Sequence, residues 1–419
     1  MDFQLFSTSR KNVNGPSCLF LKDGVILIIS YELRIKKMEV HCMEKDLVAV
    51  LGGGNGGHAV AANLSLAGFK VNFFELPLFA ESLDKVLRTK EIQIEGVSVD
   101  GVAKMNLATT DIQQAIKDAE VIFVITPAFG HKAMAEVCAP FIQDGQIIVL
   151  MPGSGGSLEF VNIFHQKKVK REVTFVESCT LPYGARLKGS GHVSVLINAV
   201  ILPTGVFPSK KTGEVIPKLK QFYPTITPAK DVLEAAINNP NPIVHPVATL
   251  LNAARIEHSK GDFYLYAEGM TPAVARTFES LNDERLAICK TLGYNLYHWD
   301  NLEFKDYNLG ETEEECRYRI LNTSMDAAFG KDGIYAGIKM KGPEHLKDRF
   351  VTEDVPYGMV LLSTLGDLLG VPTPTHDAVI QLASVINRTD YWKTGRGMKQ
   401  LGLSNFDKKG LKKFLLEGK

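Results

Sequence analysis

Apolar runs and helical patterns alternate along the first half of the chain. The apolar runs occupy residues 47–52, 70–76, 121–128, 147–153 and 173–178. Buried parallel strands have this appearance because helices cover both faces of their sheet, so neither face carries many polar residues. The segments between the runs predict helices over residues 57–66, 111–117 and 131–138. The alternation predicts an α/β fold, with an N-terminal doubly wound parallel sheet of the Rossmann type.

Helical periodicity replaces this alternation near residue 231 and continues to the C-terminus. Val247, Leu250, Leu251 and Ala254 recur at the spacing of a helix with one core-facing stripe. Further helices are predicted over residues 272–292, 359–369 and 378–387. We therefore expect two domains, a Rossmann-type domain over 43–230 and an all-α domain over 231–419.

Residues 1–42 show no clear period and are interpreted as a leader in front of the first domain. Met38 and Met43 are alternatives to Met1 as the translation start. The most apolar run in this segment, residues 25–29, is far too short to span a bilayer and has no cleavage signal after it. Neither export nor membrane insertion is predicted.

Charge and cysteine content narrow the class of protein. Forty-seven basic residues balance forty-seven acidic ones among 419 residues, so no global field favours a nucleic acid or an anionic membrane. The six cysteines are scattered, without the spacing of a disulfide framework or a metal site. A cytoplasmic protein with a small-molecule partner and no metal is expected.

The stretch GGGNGG at positions 52–57 places five glycines within six residues, after an apolar run and before a helical pattern. It matches the G-x-G-x-x-G fingerprint with Gly52, Gly54 and Gly57. In that fingerprint the first glycine permits a tight turn, the second admits a pyrophosphate, and the third lets the helix pack on the strand. The N–H groups at the helix start attract the phosphates. The turn, which also contains Asn55 and Gly56, predicts a dinucleotide cofactor.

Glu75 ends the next apolar run, eighteen residues after Gly57. A carboxylate there accepts hydrogen bonds from the adenosine ribose and repels a 2′-phosphate, which favours NAD over NADP. Two alternatives remain open, because FAD uses the same fingerprint and a glycine-rich turn can exist without a ligand. Pro127 and residues 150–156 follow two further strands, where open parallel sheets bind ligands, and are predicted to line the nicotinamide half of the cleft.

His245 is a candidate for acid–base chemistry in the second half of the chain. It directly precedes Pro246, and because proline is favoured as the first residue of a helix, we expect His245 at the N-cap. A helix N-terminus disfavours the charged imidazole, which suits a group that exchanges protons near neutral pH. Thr249 and Asn252 follow one and two turns later and are predicted to face the same side. The alternative is a histidine that only satisfies a helix start.

The sequence DRFVTEDVPYG at positions 348–358 groups Arg349, Glu353 and Asp354 before a Pro/Gly turn. An arginine there suits a substrate carboxylate, and a carboxylate suits the orientation of an imidazole. A solvated loop is an equally good interpretation of these residues alone. Arg186 and Arg255 are weaker candidates and fit surface or interdomain positions.

Four motifs together resemble the opine dehydrogenase family, which includes octopine and nopaline dehydrogenases and the bacterial carboxyethyl-norvaline dehydrogenase. The motifs are AVLGGGNGGHA, NPIVHPVATLLNAAR, EGMTPAV and RFVTEDVPYG, in this order along the chain. The resemblance extends from about residue 43 to the C-terminus. It implies a Rossmann-type domain joined to a helical domain, with the chemistry in the cleft.

The resemblance also implies a reaction and three residue roles. An L-amino acid and an α-keto acid, often pyruvate, form an imine that NADH reduces to a secondary amine. The catalytic histidine of the family then falls on His245, its partner aspartate on Asp354, and its carboxylate-binding arginine on Arg349. The substrate pair is not readable from the sequence, and a homodimer is left open.

Two competing functions are kept. One is a dehydrogenase of a 2-hydroxy acid or of glycerol-3-phosphate on a similar scaffold; such enzymes typically use lysines where this chain has His245. The other is a non-catalytic NAD-binding sensor, which would keep the glycine turn but would not need His245 and Asp354 together.

Overall fold

The computed structural model describes residues 45–199, 201–269, 271–296 and 341–419. The predicted leader and the candidate starts Met1, Met38 and Met43 lie outside the described residues. The described strands are β1 Lys45–Leu51, β2 Phe69–Phe74, β3 Glu91–Gly96, β4 Gly101–Lys104, β5 Leu107–Thr109, β6 Val121–Val124, β7 Ile147–Leu150, β8 Thr174–Ser178, β9 Tyr183–Gly189, β10 His192–Asn198, β11 Leu202–Phe207 and β12 Ile226–Pro228.

Helices separate these strands and then form the rest of the chain. In the first half they are α1 Asn55–Leu66, α2 Asp84–Thr89, α3 Ile112–Ile116, α4 His131–Cys138, α5 Gly156–Gln166 and α6 Thr212–Leu219. From residue 231 onward the described helices are α7 Val232–Ile237, α8 Asn241–Leu250, α9 Ala253–Ser259, α10 Leu265–Glu268, α11 Pro272–Leu292, α12 Arg349–Thr352, α13 Val360–Leu369, α14 Pro374–Asn387, α15 Tyr391–Thr394 and α16 Lys408–Glu417, with a π-helical turn over Val355–Met359 between α12 and α13.

The main sheet has eight strands in the order β12-β11-β8-β7-β6-β1-β2-β5. Strands β5, β2, β1, β6, β7 and β8 run parallel and follow the order 3-2-1-4-5-6 that is typical of dinucleotide-binding folds. Strand β11 pairs antiparallel with β8 and extends the sheet. The predicted doubly wound parallel sheet of the Rossmann type is confirmed. The strand order reverses between β1 and β6, which is where such sheets bind ligands.

A second sheet, in the order β4-β3-β10-β9, packs against α1 and was not predicted. Strand β10 alternates between covered and exposed positions, so it lacks the continuous apolar run that marks the strands of the main sheet. The sheet matters for the site because β9 and β10 lie beside the glycine turn at the start of α1.

Side chains on the two faces of β1 belong to two different cores. Val48 and Val50 face the core that contains α1 and the small sheet. Ala49 and Leu51 face a core that continues into the helical half, where it includes Val247. The helical half therefore packs against the sheet through a continuous apolar core rather than through a tether.

Strands give way to helices between Pro228, the end of β12, and Val232, the start of α7. The Asp231 side chain accepts hydrogen bonds from Leu233 N–H and Glu234 N–H and so caps α7. The described residues beyond this point form helices and one isolated β-bridge between Tyr264 and Lys341, as expected for an all-α region. No helix in the described part of the chain has the length and apolar character needed to cross a membrane.

Candidate active site

Two glycines of the turn are required by contacts within the protein itself. Gly52 has φ +116°, and a Cβ on it would lie 2.4 Å from the carbonyl oxygen of Ile125. A Cβ on Gly57 would lie 1.7 Å from the carbonyl oxygen of Gly52. These contacts join β1, β6 and α1 where the strand order reverses. Gly52 and Gly57 therefore have the roles that the fingerprint predicts for its first and third glycines.

Gly54 differs from its neighbours because nothing in the described residues lies within 4 Å of the position that its Cβ would take. Its backbone is extended, at φ −79° and ψ −168°, a conformation open to any residue. The protein alone therefore gives no reason for a glycine here. The start of α1 also has no side-chain cap and no acidic residue in its first turn. This open space beside free N–H groups fits a pyrophosphate.

Glu75 closes the turn from the next strand. Its carboxylate is buried and accepts hydrogen bonds from Gly53 N–H at 2.7 Å and from Leu76 N–H at 2.7 Å. Burial raises the pKa of Glu75, and the two N–H donors oppose that rise. Each oxygen keeps a further lone pair. The predicted contact with a ribose remains a prediction.

Asn55 is tied to the protein rather than directed at a ligand, because its Oδ1 accepts a hydrogen bond from Leu187 N–H at 2.8 Å. Gly56 has little space, since a Cβ there would lie 3.0 Å from Ile125 and 3.1 Å from Leu181. Pro127 follows β6 and leads into a short helical turn over Ala128–Gly130. These residues lie where the sequence predicts them, and their contacts with a cofactor remain predictions.

His58 is a structural residue of the turn that the sequence analysis missed. Its ring is fully buried; Nδ1 lies 3.2 Å from the Gly54 carbonyl, and Nε2 lies 3.2 Å from Gly191 N–H in the small sheet. Burial lowers the pKa of His58 to about 4, against the backbone hydrogen bonds that raise it. The neutral ring donates through Nδ1–H and accepts at Nε2, and so joins the glycine turn to the small sheet.

The prediction that His245 caps a helix is wrong. Helix α8 begins at Asn241, whose N–H donates to Asn239 Oδ1 at 3.0 Å, and Pro242 occupies the first turn. His245 lies one turn further on, and Pro246 is inside the helix. Both Pro242 and Pro246 suit the first turn of a helix, and in the structure Pro242 lies there. A helix N-terminus therefore does not act on the imidazole.

His245 is instead oriented by Asp354, which is 109 residues away in the sequence. The distance from His245 Nδ1 to Asp354 Oδ2 is 2.8 Å. Burial raises the pKa of Asp354, and the hydrogen bond with His245 opposes that rise. The Phe350 ring stacks on the imidazole, with centroids 4.2 Å apart and an angle of 19° between the planes. Because Nδ1–H donates to the carboxylate, Nε2 is the nitrogen left to exchange a proton.

A cleft of about 630 Å³ contains this pair. Pro152, Ser154, Thr180 and Leu181 line it from the carboxyl ends of the strands, and Leu181 is also the neighbour of Gly56. The helical half contributes Asn239, Asn241, His245, Phe350 and Asp354. The structure thus brings the imidazole to the edge of the sheet where the glycine turn lies.

Residues 228–387 match the family described as NAD/NADP octopine/nopaline dehydrogenase, alpha-helical domain. Residues 47–157 match the family described as NAD-dependent glycerol-3-phosphate dehydrogenase N-terminus. The chain is 36% identical to an opine dehydrogenase of Arthrobacter sp. (strain 1C) over 371 residues, which is 88% of this chain and 99% of the relative. It is 28% identical to an opine dehydrogenase of Haliotis discus hannai, over 80% of this chain and 89% of the relative. The chain belongs to the opine dehydrogenase family.

Solved structures agree at the level of the fold. An octopine dehydrogenase determined with NADH and L-arginine superposes with a TM-score of 0.67 at 22% identity, covering 90% of this chain and 98% of that one. A yersinopine dehydrogenase determined with NADP+ gives a TM-score of 0.62 at 15% identity, over 89% of this chain and 98% of that one. As a family member, the chain is an NAD(P)-dependent oxidoreductase that reductively condenses an amino acid with a keto acid.

Arg349 lines the cleft of this opine dehydrogenase family member from α12 and remains 61% exposed. Its Nε–H donates to Glu353 Oε2 at 2.6 Å, and its Nη2 lies 2.5 Å from the same oxygen in an ion pair. Arg186 also lines the cleft, so the sequence analysis gave it too little weight. Arg255 does not line it; its guanidinium pairs with Glu268 and lies over the Phe263 ring.

Thr249 and Asn252 are not among the described residues that line the cleft. Thr249 is fully buried. Helix α8 ends at Leu250, and the Asn252 amide beyond it donates to the carbonyls of Ala248 and Gly269 at 2.8 and 2.9 Å. The common face predicted for His245, Thr249 and Asn252 is thus interrupted by the end of the helix. A substrate-binding role for the last two remains a prediction that this placement does not favour.

Arg396 is a second residue that the sequence analysis missed. It is 1% exposed and donates to Glu159 Oε2 at 2.7 Å, while its guanidinium lies 4.8 Å from the centre of the Tyr357 ring. Its remaining N–H groups donate to three carbonyls at the ends of β6 and β7, those of Ala128, Gly153 and Ser154, at 2.8, 3.2 and 3.0 Å. The side chain therefore fixes two strand ends from the helical half.

The glycine-rich turn after β7 does not resemble the one after β1 in its chemistry. Glu177 of β8 occupies the start of α5, where its carboxylate accepts hydrogen bonds from Gly155 N–H at 2.7 Å and from Ser157 N–H at 3.1 Å. The Ser157 hydroxyl donates to it at 2.6 Å. The protein's own carboxylate thus uses the donors of this second turn, although Pro152 and Ser154 beside it line the cleft as expected.

Proposed function

We propose that the chain condenses pyruvate with an L-amino acid, using NADH, in the cleft around His245. The observation that carries this proposal is the His245–Asp354 pair, which lies in a cleft shared with the strand ends beside the glycine turn. Relatives named opine and octopine dehydrogenase support the substrate class. Solved octopine dehydrogenases were determined with NADH and L-arginine and with NADH and pyruvate.

The cofactor fits the glycine turn because Gly54 leaves space where a side chain would stand and α1 begins with uncapped N–H groups. Gly52, Gly54 and the start of α1 would hold the pyrophosphate, and Glu75 would receive the ribose. When bound, the dinucleotide supplies the hydride. Buried Glu75 disfavours a further phosphate on the ribose, which supports a preference for NAD over NADP.

The residues of the cleft act on the two substrates. The amine nitrogen attacks the keto carbon and forms a carbinolamine, which loses water only when its hydroxyl receives a proton. Protonated His245 would give that proton from Nε2, so that water leaves and the protonated imine remains, and Asp354 would keep Nδ1 protonated throughout. Arg349 would bind a substrate carboxylate. The Phe350 ring covers one face of the imidazole and limits the access of water.

The test follows NADH oxidation with pyruvate and a panel of L-amino acids, and then with each substrate alone. We expect turnover only when both substrates are present. Turnover with the keto acid alone would indicate a hydroxy-acid dehydrogenase. A chain that binds NADH but shows no turnover with any pair would instead be a sensor.

Three further proposals accompany this function. A domain boundary near residue 230 is supported by the change from strand to helix between Pro228 and Val232, and limited proteolysis tests it. A cytoplasmic location is supported by the scattered cysteines, and cell fractionation tests it. A homodimer is tested by light scattering of the purified chain, with a monomer mass as the contrary result.

A further inference from the structure

Glu353 stands between two residues of the proposed site, Arg349 and Asp354. One of its carboxylate oxygens, Oε2, accepts a hydrogen bond from Arg349 Nε and forms an ion pair with Arg349 Nη2. The other, Oε1, accepts a hydrogen bond from Ala128 N–H at 2.8 Å, across 225 residues of sequence. The Glu353 side chain is 12% exposed, whereas that of Arg349 is 61% exposed. A nearly buried carboxylate therefore holds a largely exposed guanidinium.

Ala128, which binds this carboxylate, is itself held in place by a second hydrogen bond. It follows Pro127 and lies four residues beyond Val124, the end of β6, in the Rossmann-type half of the molecule. Its N–H donates to Glu353, and its carbonyl oxygen accepts from Arg396 at 2.8 Å. Two oppositely charged side chains of the helical half thus hold one residue at the carboxyl end of β6. Through Glu353, the guanidinium of Arg349 is therefore held at a fixed place relative to that strand end.

The effect of this contact is on orientation rather than on stability. An i,i+4 ion pair with one exposed partner adds little to the free energy of unfolding. A free arginine side chain, however, populates many rotamers, and these must be restricted before it binds an anion through two parallel hydrogen bonds. Glu353 accepts from Nε–H and pairs with the Nη2 side of the guanidinium, which leaves N–H groups on Nη1 and Nη2 for a ligand.

We propose that Glu353 is a positioning residue that orients Arg349 toward an oxyanion in the cleft and ties that orientation to the end of β6. The oxyanion is a substrate carboxylate or a phosphate of the cofactor, which share the paired oxygens that a guanidinium recognises. The inference rests on the proposed function only in taking Arg349 as an anion-binding residue.

The decisive variant is Glu353→Gln in the full chain. Its amide oxygen can still accept from Ala128 N–H, whereas the ion pair with Arg349 is lost. Asp144→Asn is the matched control because it removes the Arg171 ion pair while its amide oxygen can still accept from Glu172 N–H, and neither Asp144 nor Arg171 lines the cleft. We expect an increase of about tenfold in KM for pyruvate, in KM for the amino acid or in Kd for NADH, with kcat within about twofold and the same Tm as the control. An increase in KM assigns the oxyanion to the substrate, and an increase in Kd assigns it to the cofactor.

A double-mutant cycle separates positioning from a local structural role. In an Arg349→Ala background, Glu353→Gln should leave the affected constant unchanged to within about twofold, because there is no guanidinium left to orient. Constants within twofold of the control in the single variant would overturn the proposal, as would an undiminished effect in the Arg349→Ala background.

The same experiments distinguish failure of this inference from failure of the proposed function. Loss of the function would appear as wild-type protein without turnover on any substrate pair. In that case Kd for NADH, and Kd for pyruvate on the NADH-bound protein, are measured by fluorescence titration and take the place of KM in the cycle.

Discussion

The glycine turn and the contacts around Ala128 both form at the carboxyl edge of the sheet, but they are built in opposite ways. The contacts of the turn all lie within the Rossmann-type half, where Gly52 packs on Ile125, Gly53 N–H donates to Glu75, and His58 contacts Gly191. The contacts at Ala128 come from Glu353 and Arg396, which are 225 and 268 residues away. The contacts of the turn therefore need only the Rossmann-type half, whereas the second region exists only when both halves have folded and packed together.

The first way to break this comparison is Arg396→Met, which removes the Arg396 contacts of the second region and leaves the turn intact. It leaves the buried carboxylate of Glu159 without its partner, and such a loss costs about 3–5 kcal/mol of unfolding free energy. Arg171→Met is the control, because its ion pair with Asp144 is more than half exposed on both sides and contributes about 1 kcal/mol at most. Urea denaturation measures both variants. Equal losses in the two would mean that the buried contacts do not hold the halves together.

Gly57→Ala disrupts the glycine turn, since the added Cβ would overlap with the carbonyl oxygen of Gly52. We expect a loss of about 3 kcal/mol in unfolding free energy from this overlap. Gly54→Ala is the matched variant, because its Cβ meets nothing within 4 Å among the described residues. That variant should keep its stability and lose at least about tenfold in NADH affinity, since the methyl group occupies the space for the pyrophosphate. Normal NADH binding by Gly54→Ala would remove the turn from the cofactor site.

The third prediction concerns His245 and Asp354, the proposed acid–base pair of the cleft. His245→Ala should reduce turnover by about 100-fold or more while NADH still binds, because the acid–base group is lost. Asp354→Asn should also reduce turnover, since an amide does not hold the imidazole in the same tautomer. His258→Ala, at an exposed position of α9, serves as the control. Unchanged turnover in His245→Ala would exclude this residue from the mechanism.

Acid pH should weaken the turn through His58. Burial lowers the pKa of His58 from 6.5 to about 4, so the unfolded chain binds a proton that the folded chain excludes. Its contribution to stability is therefore present above pH 6.5 and is lost as the pH falls toward 4. Between pH 7 and pH 5 the loss is about 2 kcal/mol.

The variant His58→Gln isolates this contribution from those of other titrating groups. The difference in unfolding free energy between pH 7 and pH 5 should be smaller in His58→Gln than in the wild type. In His258→Gln it should match the wild type. Parallel pH profiles for wild type and His58→Gln would contradict the assignment.

The smallest expected effect is on cofactor choice. Glu75→Gln keeps an acceptor for Gly53 N–H but removes the negative charge from the predicted ribose site. We expect the ratio of NADP to NAD affinity to rise about tenfold, which the Kd values of NADPH and NADH measure. An unchanged ratio would mean that Glu75 serves only to close the turn.

The difference between the two regions also explains what could be predicted from the sequence. The strands of the main sheet are continuous apolar runs, and the glycine turn has a fixed spacing, so both are readable locally. The hairpin of β9 and β10 was missed because its strands are partly exposed and alternate in polarity. The helix start near His245 was misplaced because Pro242 and Pro246 both suit a first turn.

The contacts between the halves could not be read in this way. Arg396 lies between two glycines, which locally predicts a loop, and only folding brings it to Glu159 and the ends of two strands. Glu353 has a local partner in Arg349, but its second contact, with Ala128, leaves no local pattern. Asp354 was linked to His245 only through resemblance to a family. Long-range polar contacts depend on the whole fold and carry no periodicity of their own.

Glu177 affects where along the edge of the sheet the charged part of a ligand binds. Two helices, α1 and α5, begin at glycine-rich turns on the same edge, and each start would attract negative charge. Glu177 already accepts hydrogen bonds from N–H groups at the start of α5. A diphosphate therefore finds free N–H donors at the start of α1 but not at the start of α5. One buried carboxylate thereby makes the two helix starts on this edge of the sheet unequal for a bound anion.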